Sequence, residues 1–205
     1  MSSFAFSVLF VVFLLLTLSL RTWLAARHIR HIARHRASVP AEFAPKVPLA
    51  AHQKAADYTV AKTRLGLIGT LWGAIVLIGF TLMGGLQLLS LAILPFTGPG
   101  LMHQLVLVVA FAVIASVLDL PLDWYRQFVL EQRFGFNKMT PGLWWGDLLK
   151  STFVGALIGL PLLWVVLKLM EASGPLWWLY TWFVWSGFQL LMIAFYPTVI
   201  APLFN

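Results

Sequence analysis

Long apolar stretches alternate with polar connections along the whole chain. The apolar stretches comprise residues 3–20, 65–89, 101–118, 151–167 and 176–200. Each approaches or exceeds the roughly 18–20 apolar residues that a helix needs to cross a hydrocarbon core of about 30 Å. Because lipid offers the backbone no hydrogen-bond partners, a spanning segment must be helical. The pattern therefore predicts an all-α, polytopic membrane protein with about five transmembrane helices, built as a single membrane domain over residues 1–205.

Two stretches leave the boundaries of these spans open. Residues 86–100 either extend the second helix or form an interfacial loop that ends at Pro95, Pro99 and Gly100. The first stretch is apolar enough for a signal peptide, but no Lys or Arg precedes it and Arg21 follows it. A signal peptide carries its positive charge ahead of the apolar core, so we expect an uncleaved anchor.

The composition excludes most soluble classes of protein. Hydrophobic residues make up 60% of the chain and charged residues only 10%, whereas an ordinary soluble domain carries about 25% charged residues. A globule with so few charges could not cover its surface, and disorder requires low hydrophobicity. The chain has no cysteine, which excludes disulfides, thiolate zinc sites, iron–sulfur clusters and cysteine nucleophiles.

The basic residues are concentrated in two connections. Of the 14 Lys and Arg residues, nine lie in residues 21–64 and four lie in residues 119–150. The remaining one is Lys168. By the positive-inside rule, both connections are cytoplasmic loops, the N-terminus lies outside and the C-terminus lies in the cytoplasm. We expect an integral, multi-pass protein of a bacterial inner membrane. The net charge of +7 then reflects topology and contact with anionic membrane lipids rather than a nucleic-acid partner.

Small residues and histidines in the helices allow structural and functional interpretations. The pairs Gly69–Gly73 and Gly155–Gly159 match the GxxxG pattern that brings helix backbones together, so we expect helix packing there.

Three histidines follow the first span at positions that share one helix face if that helix continues, which permits a metal site. Arginines flank them and repel a metal ion, so a basic helix facing solvent and lipid is the favoured interpretation of these positions: His28, His31, His35, Arg27, Arg30 and Arg34.

The connection between the third and fourth spans carries the strongest local signals. Residues 123–133 have helical character, Gly135 is a plausible left-handed helix stop, and Thr140 followed by Pro141 is typical of a helix start. Phe134 and Phe136 flank the glycine and can pin the turn against an apolar surface. The connection is therefore either an anchored cytoplasmic hairpin or a loop that lines a substrate space.

Three segments resemble the N-terminal membrane region of the CAAX prenyl protease type I family of integral-membrane zinc metalloendopeptidases. They are residues 52–62, residues 131–140, which contain the sequence Phe-Gly-Phe-Asn, and residues 196–205, which end in Pro-Leu-Phe-Asn. The resemblance covers essentially the whole chain. It implies a helical membrane enzyme that encloses a chamber and cuts peptides near the membrane, with prenylated C-a-a-X proteins as substrates in eukaryotic members.

The family's chemistry rests on a zinc-binding H-E-x-x-H helix and a further glutamate, and this chain contains no H-E-x-x-H. No residue here is therefore assigned a catalytic, cofactor-binding or metal-binding role. The chain stops at Asn205 directly after a family motif, so we expect the N-terminal domain of a longer enzyme. Zinc and the peptide substrate would then be bound through the missing catalytic part. The alternatives are a stand-alone relative without the catalytic half, or an unrelated membrane scaffold or channel.

The resemblance also yields three candidates for the wall of a substrate chamber: Glu131, Arg133 and Asn137. Arg133 and Asn137 would donate hydrogen bonds to an extended substrate backbone, and Glu131 would order Arg133 or the turn. The structural alternative is that Glu131 pairs with Arg126 or Arg133 and only stabilises the hairpin.

Overall fold

The computed structural model describes residues 2–204, and this part of the chain contains helices and no β-strand. Five helical stretches are long and apolar enough to cross a membrane: Ser3–His35, Leu49–Thr81, Leu101–Phe134, Pro141–Ala172 and Gly174–Ile200. The predicted all-α membrane fold with five spans is therefore confirmed.

Seven α-helices are separated by short turns or single-turn helices of other pitch. In chain order they are α1 (Ser3–His35), α2 (Leu49–Thr81), α3 (Gly85–Thr97), α4 (Leu101–Tyr125), α5 (Gln132–Phe134), α6 (Pro141–Ala172) and α7 (Trp177–Phe195). A π-helix, Arg126–Glu131, joins α4 to α5, and a second, Tyr196–Ile200, follows α7. A 3₁₀ turn, Gly174–Leu176, precedes α7, and another, Ala201–Phe204, ends the described chain.

The helices extend well beyond the apolar stretches, so the connections predicted as loops 21–64 and 119–150 are mostly helical. Helix α1 continues to His35 and α2 already begins at Leu49. At 1.5 Å per residue, a helix of 33 residues is about 50 Å long, which exceeds the roughly 30 Å hydrocarbon core. Ala, Arg, Lys and Gln, which favour helix, make up about half of residues 21–35 and 49–64. Hydropathy detects the membrane-crossing part of each helix and misses its polar continuation.

The second predicted span is interrupted instead of running unbroken to residue 89. Helix α2 ends at Thr81, Gly84 adopts a left-handed φ of 79°, and α3 begins at Gly85. A Cβ at Gly85 would lie 2.8 Å from the Gly79 carbonyl oxygen, so the bend requires glycine there. Residues 86–97 thus belong to a separate helix, α3, which contains Pro95, and residues 98–100 form the turn before α4.

The chain divides into two compact units. The first unit comprises residues 1–89 and 113–138, where α1 lies alongside the first part of α2. Its small core consists of Leu65, Leu130 and Phe134. The second unit comprises residues 90–112 and 139–205, where α6 packs against α7. Most large apolar side chains of both units are exposed, as expected for helices whose outer faces contact lipid. A single membrane domain over residues 1–205 stays a prediction.

The two GxxxG pairs do not bring helices together within the described chain. No atom outside the local helix lies within 4 Å of a Cβ built at Gly69, Gly73, Gly155 or Gly159. The predicted close helix contacts are therefore wrong for residues 2–204. Gly155 and Gly159 instead line an open cavity in the second unit. Because glycine has no side chain, these positions enlarge the cavity and do not serve as a contact between helices.

Candidate functional site

The candidate site lies where the first turns of α2 meet the helical segment that precedes Gly135. The Tyr58 hydroxyl, on α2, donates a 2.7 Å hydrogen bond to a carboxylate oxygen of Glu131, and the two residues are 73 positions apart in sequence. Glu131 is the last residue of the π-helix. The expected pairing of Glu131 with Arg126 or Arg133 is wrong, because Arg126 binds Asp123 at 3.0 Å and the Glu131 carboxylate faces Tyr58.

A short region of changing helical pitch shapes the turn. The helix that contains α4 widens to π geometry over Arg126–Glu131, tightens again in α5, and ends at Gly135, where φ is 74° and the backbone is left-handed. The Glu131 carbonyl accepts hydrogen bonds from the backbone N–H groups of Phe136, at 2.9 Å, and of Asn137, at 3.3 Å. The predicted glycine stop is confirmed. Single π turns within α-helices occur often at functional sites.

Aromatic rings hold the turn against α2. The Tyr58 ring contacts Phe134 and Phe136 edge-on, with centroid distances of 5.3 and 4.9 Å. Phe134 is buried against Leu65 and Leu130, whereas Phe136 remains half exposed. The expectation that the two phenylalanines pin the turn is confirmed, and the apolar surface is formed by Tyr58 and Leu65 of α2 together with Leu130 of the π-helix.

The three chamber candidates lie on this turn, each with different surroundings. The Arg133 guanidinium is exposed and lies 5.8 Å from the centroid of the Phe134 ring. The Asn137 side chain accepts a hydrogen bond from Gln127 at 2.7 Å and donates one to Gln132 at 3.0 Å. The geometry therefore brings Glu131, Arg133 and Asn137 onto one turn, with Glu131 directed towards α2. Whether the turn faces a chamber stays a prediction.

The start of α6 also follows its sequence signal. The Thr140 hydroxyl accepts a 3.3 Å hydrogen bond from the backbone N–H of Leu143, and Pro141 is the first helical residue. This N-cap satisfies one of the amide groups that a helix start leaves without a partner. The last residue of the C-terminal motif, Asn205, lies outside the described residues.

Two polar contacts tie α1 to α2 beyond the apolar part of each helix. The Arg36 guanidinium, directly after α1, binds both carboxylate oxygens of Asp57 at 2.7 and 2.8 Å. This hydrogen bonding, and secondarily the charge attraction, raises the pKa of Arg36, so the guanidinium stays charged. A ring nitrogen of His52 makes a 2.9 Å hydrogen bond with the His35 carbonyl. No local sequence pattern predicts these partners, because they are 17 to 21 residues apart along the chain.

The histidines do not form a zinc site. The His31 and His35 rings stack with their centroids 4.3 Å apart, and a ring nitrogen of His35 bonds to the His31 carbonyl at 2.8 Å. Within residues 2–204, no three His, Cys, Asp or Glu side chains come together in a way that could hold a metal ion. A catalytic zinc needs about three protein ligands. The described residues therefore do not fit the zinc that the family resemblance implies.

The second unit contains an open cavity of about 920 Å³ between faces of α6 and α7. Tryptophan, leucine and valine side chains form most of its lining, and Gly155 and Gly159 widen it. Its polar residues include Ser151 and Thr181, and the Thr181 hydroxyl oxygen is buried with no hydrogen-bond partner in the described chain. The lining is largely apolar, and Tyr196 is the one titratable residue among the described residues that form it.

Comparison with known proteins agrees with these features. Residues 28–205 match the family described as CAAX prenyl protease N-terminal, five membrane helices. The chain is similar to the CAAX prenyl protease 1 homolog of Caenorhabditis elegans, with 31% identity over 158 residues, which are 75% of this chain and 34% of the relative. CAAX prenyl protease 1 of Saccharomyces cerevisiae is 30% identical over 165 residues, covering 74% of this chain and 36% of the relative.

The same likeness extends to a solved structure. The crystal structure of S. mikatae Ste24p superimposes with a TM-score of 0.85 over 95% of this chain and 46% of that one, at 23% sequence identity. The fold is therefore shared. The chain spans about a third of the length of the two curated relatives named above. With the family match covering most of its residues, this multi-pass membrane chain belongs to the CAAX prenyl protease N-terminal family.

Proposed function

We propose that this chain is the N-terminal transmembrane domain of a membrane-embedded zinc metalloendopeptidase and forms walls of the chamber in which peptides are cut near the membrane. The observation that carries the proposal is the family match over residues 28–205. The names of the relatives indicate substrates that end in a prenylated C-a-a-X sequence. The test is cleavage of a farnesylated C-a-a-X peptide by the purified full-length protein in detergent or nanodiscs. Failure to cleave it would favour a non-catalytic membrane scaffold or channel.

The side chains of this chain indicate which parts of such an enzyme it would supply. We infer that zinc and its general base are supplied by residues outside this chain, since the described residues offer no suitable ligand group. This chain would contribute the turn with Glu131, Arg133 and Asn137, where the exposed Arg133 guanidinium and the half-buried Asn137 amide would hold the extended backbone of a substrate.

This division predicts that the isolated chain is inactive. We expect the purified, tag-free chain to contain far less than one zinc ion per molecule and to show no chelator-sensitive peptidase activity, because three protein ligands are required. Metal analysis after dialysis against micromolar zinc, with the full-length protein as the positive control, measures the first quantity. Stoichiometric zinc together with chelator-sensitive hydrolysis by the chain alone would overturn this part of the proposal.

The proposed orientation places the N-terminus outside, the C-terminus in the cytoplasm and both basic connections in the cytoplasm, within a bacterial inner membrane. Since the chain has no native cysteine, single cysteines report position directly. We expect cysteines at Ser38 and Asn137 to resist an impermeant thiol reagent applied outside intact cells. A cysteine at Phe96, which is 89% exposed and lies in α3, should react. Labelling of either of the first two from outside would contradict the orientation.

A further inference from the structure

Two lysines flank Tyr58 on the face of α2 that meets the turn. Lys54, Tyr58 and Lys62 are spaced four residues apart, so their side chains lie on the same side of the helix. The Lys54 ammonium lies 5.5 Å from the centroid of the Phe136 ring, and the Lys62 ammonium lies 5.5 Å from that of Tyr58. Both lysines are exposed. Each can therefore contact an aromatic face while its N–H donors remain available.

Three carboxylates of the first unit already have partners. Asp57 binds Arg36 through both oxygens, and Asp123 binds Arg126. Glu131 accepts a hydrogen bond from the Tyr58 hydroxyl, and the Lys62 ammonium lies over the ring of the same tyrosine. Lys54 forms no ion pair with any residue in the range 2–204. Lys54 is thus an exposed cation without an anionic partner in the described chain.

The glycine of the turn leaves room beside this cation. The Lys54 ammonium lies 3.7 Å from the position that a Cβ would occupy at Gly135. The exposed Phe136 ring forms an apolar surface on the same turn, and the Arg133 guanidinium adds a second positive charge, also without an ion pair in the part of the chain described. The turn therefore combines an ammonium donor, a nearby guanidinium and an apolar face.

We propose that Lys54 binds the C-terminal carboxylate of the peptide substrate. This inference rests on the proposed function, since a C-a-a-X substrate ends in a free carboxylate that directly follows apolar residues. A carboxylate accepts hydrogen bonds only, and its bond to an ammonium group is stronger than a bond between neutral partners. The apolar residue before the carboxylate would contact Phe136. A lipid phosphate is a less suitable ligand for Lys54 than this carboxylate. The closely spaced arginines of α1 offer a lipid phosphate several cations at once.

Binding of a matched pair of peptides to the chain tests the proposal. The probes are a fluorescent S-farnesyl-Cys-Val-Ile-Met peptide with a free C-terminal carboxylate and the same peptide as its C-terminal amide. The chain is held in nanodiscs of phosphatidylcholine, and binding is read from fluorescence anisotropy. We expect the acid to bind about tenfold more tightly than the amide, equivalent to about 1.4 kcal/mol. Lys54→Gln should remove the preference, and Lys54→Arg should retain most of it.

An exposed lysine away from the turn provides the control. Lys46 lies between α1 and α2, so Lys46→Gln should retain the tenfold preference. Equal binding of acid and amide, or an undiminished preference in Lys54→Gln, would overturn the proposal. So would a preference that vanishes in Lys46→Gln as well, which would indicate a general charge effect. Lys54-dependent binding of phosphatidylserine without any preference for the peptide acid would identify a lipid site instead and also overturn it.

Turnover by the full-length protein separates this inference from the proposed function. If the enzyme cleaves the farnesylated acid and amide with equal KM, the result supports the proposed protease function and contradicts the carboxylate site. If it cleaves neither peptide, the protease function itself fails, and the carboxylate site fails with it. The inference requires a KM for the acid about tenfold below that for the amide, with the difference lost in Lys54→Gln.

Discussion

Replacing Phe134 with alanine is expected to lower the free energy of unfolding by about 3 kcal/mol or more. Phe134 is only 8% exposed and packs with Leu65 and Leu130 in the core of the first unit. Truncation removes apolar contacts and leaves a cavity between α2 and the segment before Gly135. The measurement is the denaturant or thermal unfolding of the purified chain in detergent, followed by tryptophan fluorescence and circular dichroism.

Phe136 is the matched control for this substitution. It contacts the same Tyr58 ring, yet 52% of it is exposed, so Phe136→Ala should cost less than about 1 kcal/mol. Equal destabilisation by the two alanine substitutions would contradict the view that Phe134 anchors the turn and Phe136 lies on its accessible face. No loss in Phe134→Ala would show that the small core does not hold the first unit together.

If the proposed protease function holds, replacing Asn137 with alanine in the full-length protein is expected to lower peptide turnover about 100-fold, the size of effect that a misplaced substrate causes. The expected reason is the loss of a side-chain donor to the substrate backbone. Because Asn137 also bonds to Gln127 and Gln132, a structural effect must be separated from a functional one. Turnover and melting temperature are therefore measured on the same preparations.

The chain offers a matched control for this purpose. Gln127→Ala removes the 2.7 Å hydrogen bond to Asn137 while leaving Asn137 in place, so it should keep most of the turnover. A second pair of variants applies the same comparison to Glu131. Glu131→Gln alters the chamber candidate itself, whereas Tyr58→Phe removes only the hydrogen bond that Glu131 accepts and should keep most of the turnover. If Gln127→Ala lost as much turnover as Asn137→Ala, or if activity fell only as far as stability, the turn would serve architecture alone.

The membrane fold was predictable because the signals that define it are local. Each span needs a continuous apolar stretch, and the left-handed Gly135 and the N-cap Thr140 depend on a few neighbouring residues. The break between α2 and α3 was missed because its flanks are uniformly apolar. Hydropathy does not register that Gly84 turns left-handed or that the backbone closes onto Gly85.

The contacts that build the candidate site depend on separated parts of the chain. Glu131 has cationic neighbours in sequence, which favoured pairing with Arg126 or Arg133, yet the fold brings Tyr58 to its carboxylate from 73 residues away. The π-helix that directs Glu131 towards α2 has no simple sequence signature. The glycine pairs fit a packing motif, but a motif does not specify whether a partner helix is present, and none approaches them in residues 2–204.

Photo-crosslinking tests most directly whether this turn lines a substrate chamber. A benzophenone amino acid is placed at Phe136 or, as a control of similar exposure, at Phe43 between α1 and α2; these side chains are 52% and 56% exposed. Both variants of the full-length protein are irradiated with a fluorescent farnesylated C-a-a-X peptide. We predict strong labelling at position 136 that excess unlabelled peptide suppresses, and little labelling at position 43. Equal labelling at the two positions, or none at position 136, would contradict the assignment of this turn to the chamber.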